Sequence, residues 1–462
     1  MSARRLRPIR FAGPGSGQGP LTWAQADHWS GIVAAGAAAT FGGAFLMPDR
    51  FGLESAVRMI GHMLSRHQAL RTRLGFGPDG WPFQRLSAAG ELALEIVEPE
   101  PGESAAGLAE DLAAEFGRRP FDYECDWPVR AGVVLDGDRL WLVIIYLHLA
   151  LDGAGAAALQ AEFDVGRPDP VRDLGPVTAV EPLAQARDQA TPAAQRQSRG
   201  ALQHLDRVLT ATPAQLFPPT GDATGDYQAL RYHSPLLAPA VAAIAQQHLA
   251  TPAAVHLAVF GAALARLRRL PVVWAMVLVS NRFRPRVAGS VSLQVQSSPF
   301  LLDVGGADHA QLLARAGLGL LATYKNAYYD YRARDEVLAR AAARHGQPVQ
   351  LACFYNDRGG AAGAPSPTGD ADWSRLQHQS RWWPEPARAV PRYPLSFNVD
   401  SAEGTTQLLI SWDAGYFAHT EVLQLAGNVE AAALALCQRP HEPVLTTVAP
   451  ATALSGGRGK LS

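Results

Sequence analysis

The stretch YLHLALDG, residues 146–153, ends a run of apolar residues with one imidazole, His148, and one carboxylate, Asp152. A neutral imidazole titrates near physiological pH and can take a proton from an attacking nucleophile. Asp152 can orient that ring, or it can pair with a cation and lock the turn in which it sits. Side chains alternate across a strand, so His148 shares a face with Tyr146 and Ile144, while Leu147 points the other way with Val143 and Ile145. The spacing H-x-x-x-D-G alone allows two readings: a proton acceptor set in a cavity, or a core histidine with its hydrogen bonds satisfied.

The flanking elements decide what such a pair can reach. RLWLVIIYLHL reads as a buried strand and AGAAALQAEF as a helix, so His148 closes the strand and Asp152 and Gly153 open the helix. VRAGVVLDGD precedes that strand as its hairpin partner. Upstream, PLTWAQADHWSGIV reads as a capped helix, residues 54–70 as a second and 104–117 as a third, with a hairpin in RTRLGFGPDGWPFQRL turning at Pro78-Asp79-Gly80. Residues 166–226 are rich in Pro, Asp, Gln and Thr, as in a connection, with one helix near 197–209. The second half alternates again: a helix from Thr251-Pro252, a strand PVVWAMVLVS, an extended stretch at 294–304 and a helix at 307–324. Strands follow near 350–355, 395–399 and 408–412, then a final helix at 420–437. The Gly/Pro/Ser-rich segment 359–371 predicts a loop. Two mixed lobes of this kind can hold a site at their junction.

A chain of 462 residues is too long for one ordinary core, and two lobes of about 200 residues each are expected. Hydrophobic residues make up 48% of it and charged residues 18%, which suits large interiors and argues against disorder. The net charge of −1 argues against wholesale binding to nucleic acid or anionic lipid. The longest apolar run, 140–151, is interrupted by His148 and falls short of the roughly 20 residues that span a bilayer. The basic start MSARRLRPIR runs into FAGPGSGQGP without an export or anchor segment, so a cytoplasmic location and no membrane partner are expected. Cys125, Cys353 and Cys437 lie far apart and read as reduced thiols, with neither a metal site nor a disulfide framework implied.

Motifs through nearly the whole chain, in the right order, resemble the condensation domains of nonribosomal peptide synthetases, within the chloramphenicol acetyltransferase-like superfamily. PLTWAQADHW looks like the opening motif, RHQALRTRL the second, and RRPFDYECDWPVRAGVVL the segment before the active-site strand. TPAAVHLAVFGAALARL with VVWAMVLVSNR resembles the family's helix and strand ending in a Gly-Arg pair, and RYPLSFNVD with WDAGYF its last motifs. The resemblance implies an α/β (α+β) fold of two lobes, each a mixed sheet with helices, forming a V with a cleft and tunnel between them. It places an N-terminal lobe carrying HxxxDG at 1–175 and a C-terminal lobe with crossover loops at 176–462.

Carried over by position, His148 matches the second histidine of HHxxxDG, the one associated with catalysis, and Asp152 and Gly153 match its end. Asp152 is then similar to a structural anchor held by an arginine from the second lobe, for which Arg282 in SNR is the matching position; a bidentate guanidinium would supply two charge-assisted hydrogen bonds. Arg282 can also be read as one of a solvated basic group with Arg284 and Arg286. Leu147 replaces the first histidine, Gln296 stands where an Asn is expected, and Asn281 replaces the Gly of SGR at a small cost if it must turn left-handed. These departures touch standard peptide-bond formation more than the fold.

The expected chemistry is acyl transfer, with His148 taking or positioning the nucleophile's proton and the Gly153 backbone N–H as the candidate donor to the oxyanion. Tyr146, Gln296, Ser297, Ser298 and Asn356 are candidates for the substrate channel, although the two serines read first as exposed loop residues. No bound cofactor is implied: activation comes from a thioester donor on a phosphopantetheinyl carrier protein or coenzyme A, and the acceptor is a small-molecule amine or alcohol. Lys325, Tyr328, Tyr329 and Tyr331, and the group Asn356, Asp357 and Arg358, either line the acceptor side or form a helix end and a turn. RWWPEPARAVPRYPL reads as a loop over the cleft or a surface loop anchored by Trp382; Arg4–Arg10 and Arg266–Arg269 either receive an acyl or peptidyl carrier protein or are solvated faces. Because the sequence stops at SGGRGKLS, a free-standing condensation enzyme is the first expectation. A coenzyme A-dependent acyltransferase is the second, weakened by the missing DFGWG motif, and a non-catalytic recruitment protein the third.

Overall fold

The computed structural model describes residues 3–167, 169–220, 226–359, 373–387, 393–402 and 404–445. The chain divides into two compact units. The first holds the chain up to Arg199 together with Ser280–Gln296 and Tyr328–Arg332, and the second holds Gly200–Val279, Ser297–Ala327 and the chain from Ala333 on.

The first unit carries β1 (Ala3–Ala12), β2 (Gly17–Pro20), α1 (Trp23–Ala35), β3 (Thr40–Leu46), α2 (Leu53–Arg66), β4 (Thr72–Phe76), β5 (Pro82–Leu86), β6 (Ala89–Glu98), α3 (Ala105–Arg118), β7 (Val129–Asp136), β8 (Arg139–Leu147), α4 (Gly153–Gln160) and α5 (Pro182–Gln189); α6 (Pro192–Ala211) runs on into the second unit. Its main sheet is mixed, in the order β1-β6-β7-β8-β3, and a small sheet runs β2-β5-β4. β8 lies inside the main sheet, antiparallel to β7 on one side and β3 on the other. Its alternation explains the unbroken apolar run: Leu140, Leu142 and Ile144 enter one core cluster, Val143 and Ile145 another. A strand buried on both faces has no polar face to show.

β1 is a strand that the basic composition of the N-terminus concealed. It runs antiparallel to β6, with Ile9 and Phe11 buried. Its arginines are each matched by a glutamate: Arg4 with Glu115, Arg5 with Glu98, Arg7 with Glu54 and Arg10 with Glu91. The connection after residue 166 likewise holds two helices, α5 and α6, where one was expected.

The second unit carries β9 (Tyr227–Ser234), α7 (Leu237–Gln247), α8 (Pro252–Arg268), β10 (Val272–Val279), most of β11 (Gln296–Asp303), α9 (His309–Lys325), most of α10 (Tyr331–His345), β12 (Cys353–Asp357), α11 (Trp373–His378), β13 (Arg381–Glu385), β14 (Leu395–Ala402), β15 (Thr405–Asp413) and α12 (His419–Gln438). The strands run in the order β11-β10-β12-β14-β15-β9-β13, with parallel pairs β10/β12 and β12/β14 and antiparallel pairs beyond. Each unit is thus a mixed sheet with helices. α8 is capped by Thr251, begins at Pro252 and is buried from Ala254 through Ala265, which accounts for its apolar sequence. Among the described residues no single helix is long and apolar enough to cross a membrane. The Trp382 segment, expected as a loop, is the strand β13 paired with β9, and Trp382 and Trp383 are exposed on it. Beyond Gly359 the predicted loop at 359–371 lies outside the described residues.

Candidate active site

β8 ends at Leu147 and α4 begins at Gly153, so the motif occupies a turn between a buried strand and a helix N-terminus. The His148 backbone N–H donates to the Ala39 carbonyl (2.9 Å) and the Ala150 N–H to the Leu147 carbonyl (2.9 Å), which fixes the turn. Leu147 packs into an apolar cluster with Leu21, Ala26, Trp29 and Leu149, and it borders a small pocket lined also by Gln25, Arg73 and Tyr123. His148 is half-buried. Its ring meets Phe41 edge-on at 5.2 Å, and Phe41 also packs on Tyr146 at 5.7 Å, as residues sharing one strand face should. Burial pulls the His148 pKa below its ordinary value, against the opposing pull of its own backbone and of the Asp152 carboxylate. The ring is therefore neutral at pH 7. Its Nδ1 is buried without a hydrogen-bond partner among the described residues.

Asp152 is 2% exposed and fully engaged. As N-cap of α4 its Oδ1 accepts from the Gly155 N–H (2.7 Å) and from Arg282 Nη2 (2.7 Å); its Oδ2 accepts from the backbone N–H groups of Gln294 (2.8 Å) and Val295 (3.3 Å). The guanidinium is not bidentate on the carboxylate. Arg282 uses Nη1 for the Ser290 carbonyl (2.7 Å) and shares Nη2 with the Ser292 carbonyl (2.9 Å), because the loop at 287–292 folds around its head. Arg282 is thus a brace whose head is enclosed by the 287–292 loop, its side chain 10% exposed, and not a member of a solvated group. Asp152, Arg282 and the segment 290–295 all belong to the first unit.

Asn281 takes the left-handed conformation (φ 56°) and its Nδ2 donates to the Gln294 carbonyl (3.0 Å), which turns the chain so that Arg282 points at Asp152. Gly155 explains how closely these segments meet: a Cβ there would stand 2.9 Å from the Ser292 carbonyl oxygen and 3.2 Å from Arg282 Nη2. The sequence reading did not single out Gly155. Gly153, by contrast, is exposed with open space where a Cβ would stand. Below α4, Glu162 is tied to His67 (2.9 Å) and Arg66 (3.1 Å) at the end of α2.

The other candidates divide between the units. Gln296, in the first, is fully buried and donates through Nε2 to the Tyr329 carbonyl (3.0 Å). Ser297 and Ser298, in the second, are buried residues of β11 and not exposed loop serines. Asn356 is half-buried on β12, in register with Asn398 of β14. Tyr328, Tyr329 and Tyr331 are buried in the first unit, Tyr328 against Trp23 (4.7 Å) and under the Arg284 guanidinium (3.8 Å). In the second unit Asp357 pairs with His256 Nδ1 (2.9 Å) and Arg358 with Asp400 (2.8 Å). Arg266 and Arg268 are held by the Val444 and Tyr416 carbonyls. No group of histidine, cysteine, aspartate or glutamate side chains among the described residues could hold a metal ion.

Comparison with known proteins extends the local geometry to the whole chain. The family model described as "Condensation domain" matches residues 44–453. A probable non-canonical nonribosomal peptide synthetase, CymA, of Salinispora arenicola is 30% identical over 137 residues; the match covers 29% of this chain and 2% of that protein, so the chain spans a small fraction of this relative's length. Among solved structures, one describing condensation domain-mediated chain release from the enacyloxin polyketide synthase superposes with a TM-score of 0.71 at 19% identity, covering 97% of this chain and 87% of the other. The SgcC5 protein of Streptomyces globisporus, in complex with a naphthyl ethanediol and sucrose, gives 0.69 at 15% identity, covering 92% and 100%. With a family match running from within β3 to beyond α12, on a fold shared along almost its full length with these neighbours, the chain belongs to the condensation domain family.

Proposed function

We propose that this protein is a condensation enzyme, joining an acyl or aminoacyl thioester on a phosphopantetheinyl carrier protein to an amine or alcohol. The observation that carries the reading is His148: a half-buried imidazole kept neutral by its surroundings, beside a carboxylate whose hydrogen bonds are already spent on structure. With Nδ1 buried, Nε2 is the nitrogen that meets the nucleophile. It accepts the N–H or O–H proton as the nucleophile's lone pair bonds to the thioester carbonyl carbon. The oxyanion that forms takes a hydrogen bond from Gly153, whose N–H at the first position of α4 has no acceptor within the helix. The C–S bond then breaks, the carbonyl re-forms, and the departing thiolate recovers the proton from the imidazolium.

The synthetase relative and the chain-release neighbour support a carrier-bound donor, and the diol held by SgcC5 supports an alcohol as acceptor. Asp152 serves as an anchor and not as a proton carrier, because Arg282 and three backbone N–H groups hold its charge in place. The test offers the protein acyl-carrier and acyl-coenzyme A donors with amine and alcohol acceptors, alongside His148→Ala. Product from the carrier-bound donor, reduced at least about 100-fold in the variant, is expected. Product from coenzyme A alone would replace the carrier by the free cofactor. No product with any donor would favour the recruitment reading that the loss of the first histidine to Leu147 permits.

A further inference from the structure

His148 has a neighbour that the HxxxDG pattern does not contain. His28, on α1, stacks its ring on the His148 imidazole with centroids 4.6 Å apart and planes within 28°. Phe41 of β3 meets the same imidazole edge-on. α1 is itself pinned: Thr22 and Gln25 form a reciprocal capping box, Trp23 packs on Tyr328, and the Ser30 and Tyr331 hydroxyls are 2.5 Å apart. All of these residues lie in the first unit. Stacked rings do not form an in-plane N–H···N bond, so His28 cannot relay a proton to His148. What it offers is its face. Leu147 points into the apolar cluster, and the second imidazole beside His148 therefore comes from α1 and not from the motif.

We propose that His28 is a positioning residue of the active site, fixing the plane of the His148 imidazole between its own ring face and the edge of Phe41. The effect on rate rests on His148 being the proton acceptor; the effect on ring orientation does not. His148 becomes a cation as it takes the nucleophile's proton, so a ring stacked against it must carry no charge of its own. His28 meets this requirement because burial, with a lesser push from His148, lowers its pKa to about 3. The titratable groups around His148 are His28 from α1, the Asp152 carboxylate from the turn before α4, and the Tyr146 phenol on β8, raised by burial and packed on Phe41.

The test compares wild type with His28→Phe, which keeps a stacked ring, and His28→Ala, which removes it. In histidine-labelled protein the His148 ring signal, assigned by its loss in His148→Ala, is titrated by NMR without substrate. Wild type and His28→Phe are expected to titrate together below the ordinary value of 6.5, and His28→Ala to move up toward it. In the condensation assay His28→Ala should lower kcat about tenfold with KM within about twofold, while His28→Phe stays within about threefold of wild type. His28→Gln, flat and uncharged but without a ring, gives the same two readouts should the alanine variant not fold. An unchanged His148 titration in the ringless variants, or a His28→Phe as slow as they are, would overturn the proposal. Should His148→Ala keep full activity while the ringless variants still shift the titration, the catalytic reading fails and the positioning role stands.

Discussion

Three residues separate His148 from Asp152, and burial acts on them in opposite ways. The imidazole has no cation or carboxylate bonded to it and stays neutral; the carboxylate is almost sealed off yet has partners for both oxygens. Removing the Arg282 head leaves that buried charge with backbone donors only, so Arg282→Ala is expected to cost about 3–5 kcal/mol, read as a lowered melting temperature. An unchanged melt would mean that the brace is dispensable. His28 makes a second residue-level prediction through linkage. Its folded pKa of about 3 lies below the 6.5 of a free imidazole, so between those values the unfolded chain binds a proton that the native state refuses. Stability from this source is complete above pH 6.5 and falls as the pH drops toward 3. His28→Phe should therefore flatten the loss of stability across that window, in urea unfolding followed at several pH values; an identical slope would contradict it.

At the scale of elements, the site exists because β8 ends where α4 starts and the segment 290–295 is pressed against the first turn of that helix. Gly155 sets how close that approach can be. Gly155→Ala would force the Ser292 carbonyl or Arg282 outward, and a destabilisation of about 1–3 kcal/mol is expected in denaturant unfolding, with a value near zero showing that the segment yields freely. These elements were legible in the sequence to different degrees. β8, its hairpin partner and the capped helices announce themselves by apolar alternation, turn residues and N-caps, which are local signals. β1 did not, because four arginines break up its apolar pattern and their glutamate partners lie far along the chain. The Asp152–Arg282 contact was readable only by resemblance, and its geometry was not, since a loop claims the other guanidinium nitrogen. His28 was missed because stacking is a tertiary fact: on α1 it reads as an ordinary helix residue beside Trp29.

For the molecule as a whole, charge is balanced locally as well as in total. The net charge is −1, and the most basic stretch of sequence, on β1, faces glutamates. Exposed pairs of this kind contribute about 0–1 kcal/mol each, so neutralising Arg5 should change stability little. It should also leave affinity for an acyl-carrier partner unchanged; a clear loss of affinity would make β1 the docking face after all. The family match and the fold shared with condensation domains fix the architecture, and the chemistry proposed for it rests on one ring. The most direct measurement is the pH dependence of kcat/KM for condensation, compared between wild type and His148→Ala. The account predicts a wild-type rate that is level through neutrality and declines only below pH 6.5, with no such limb in the much slower variant. A limb at or above 6.5, or one that persists unchanged without the imidazole, would contradict it.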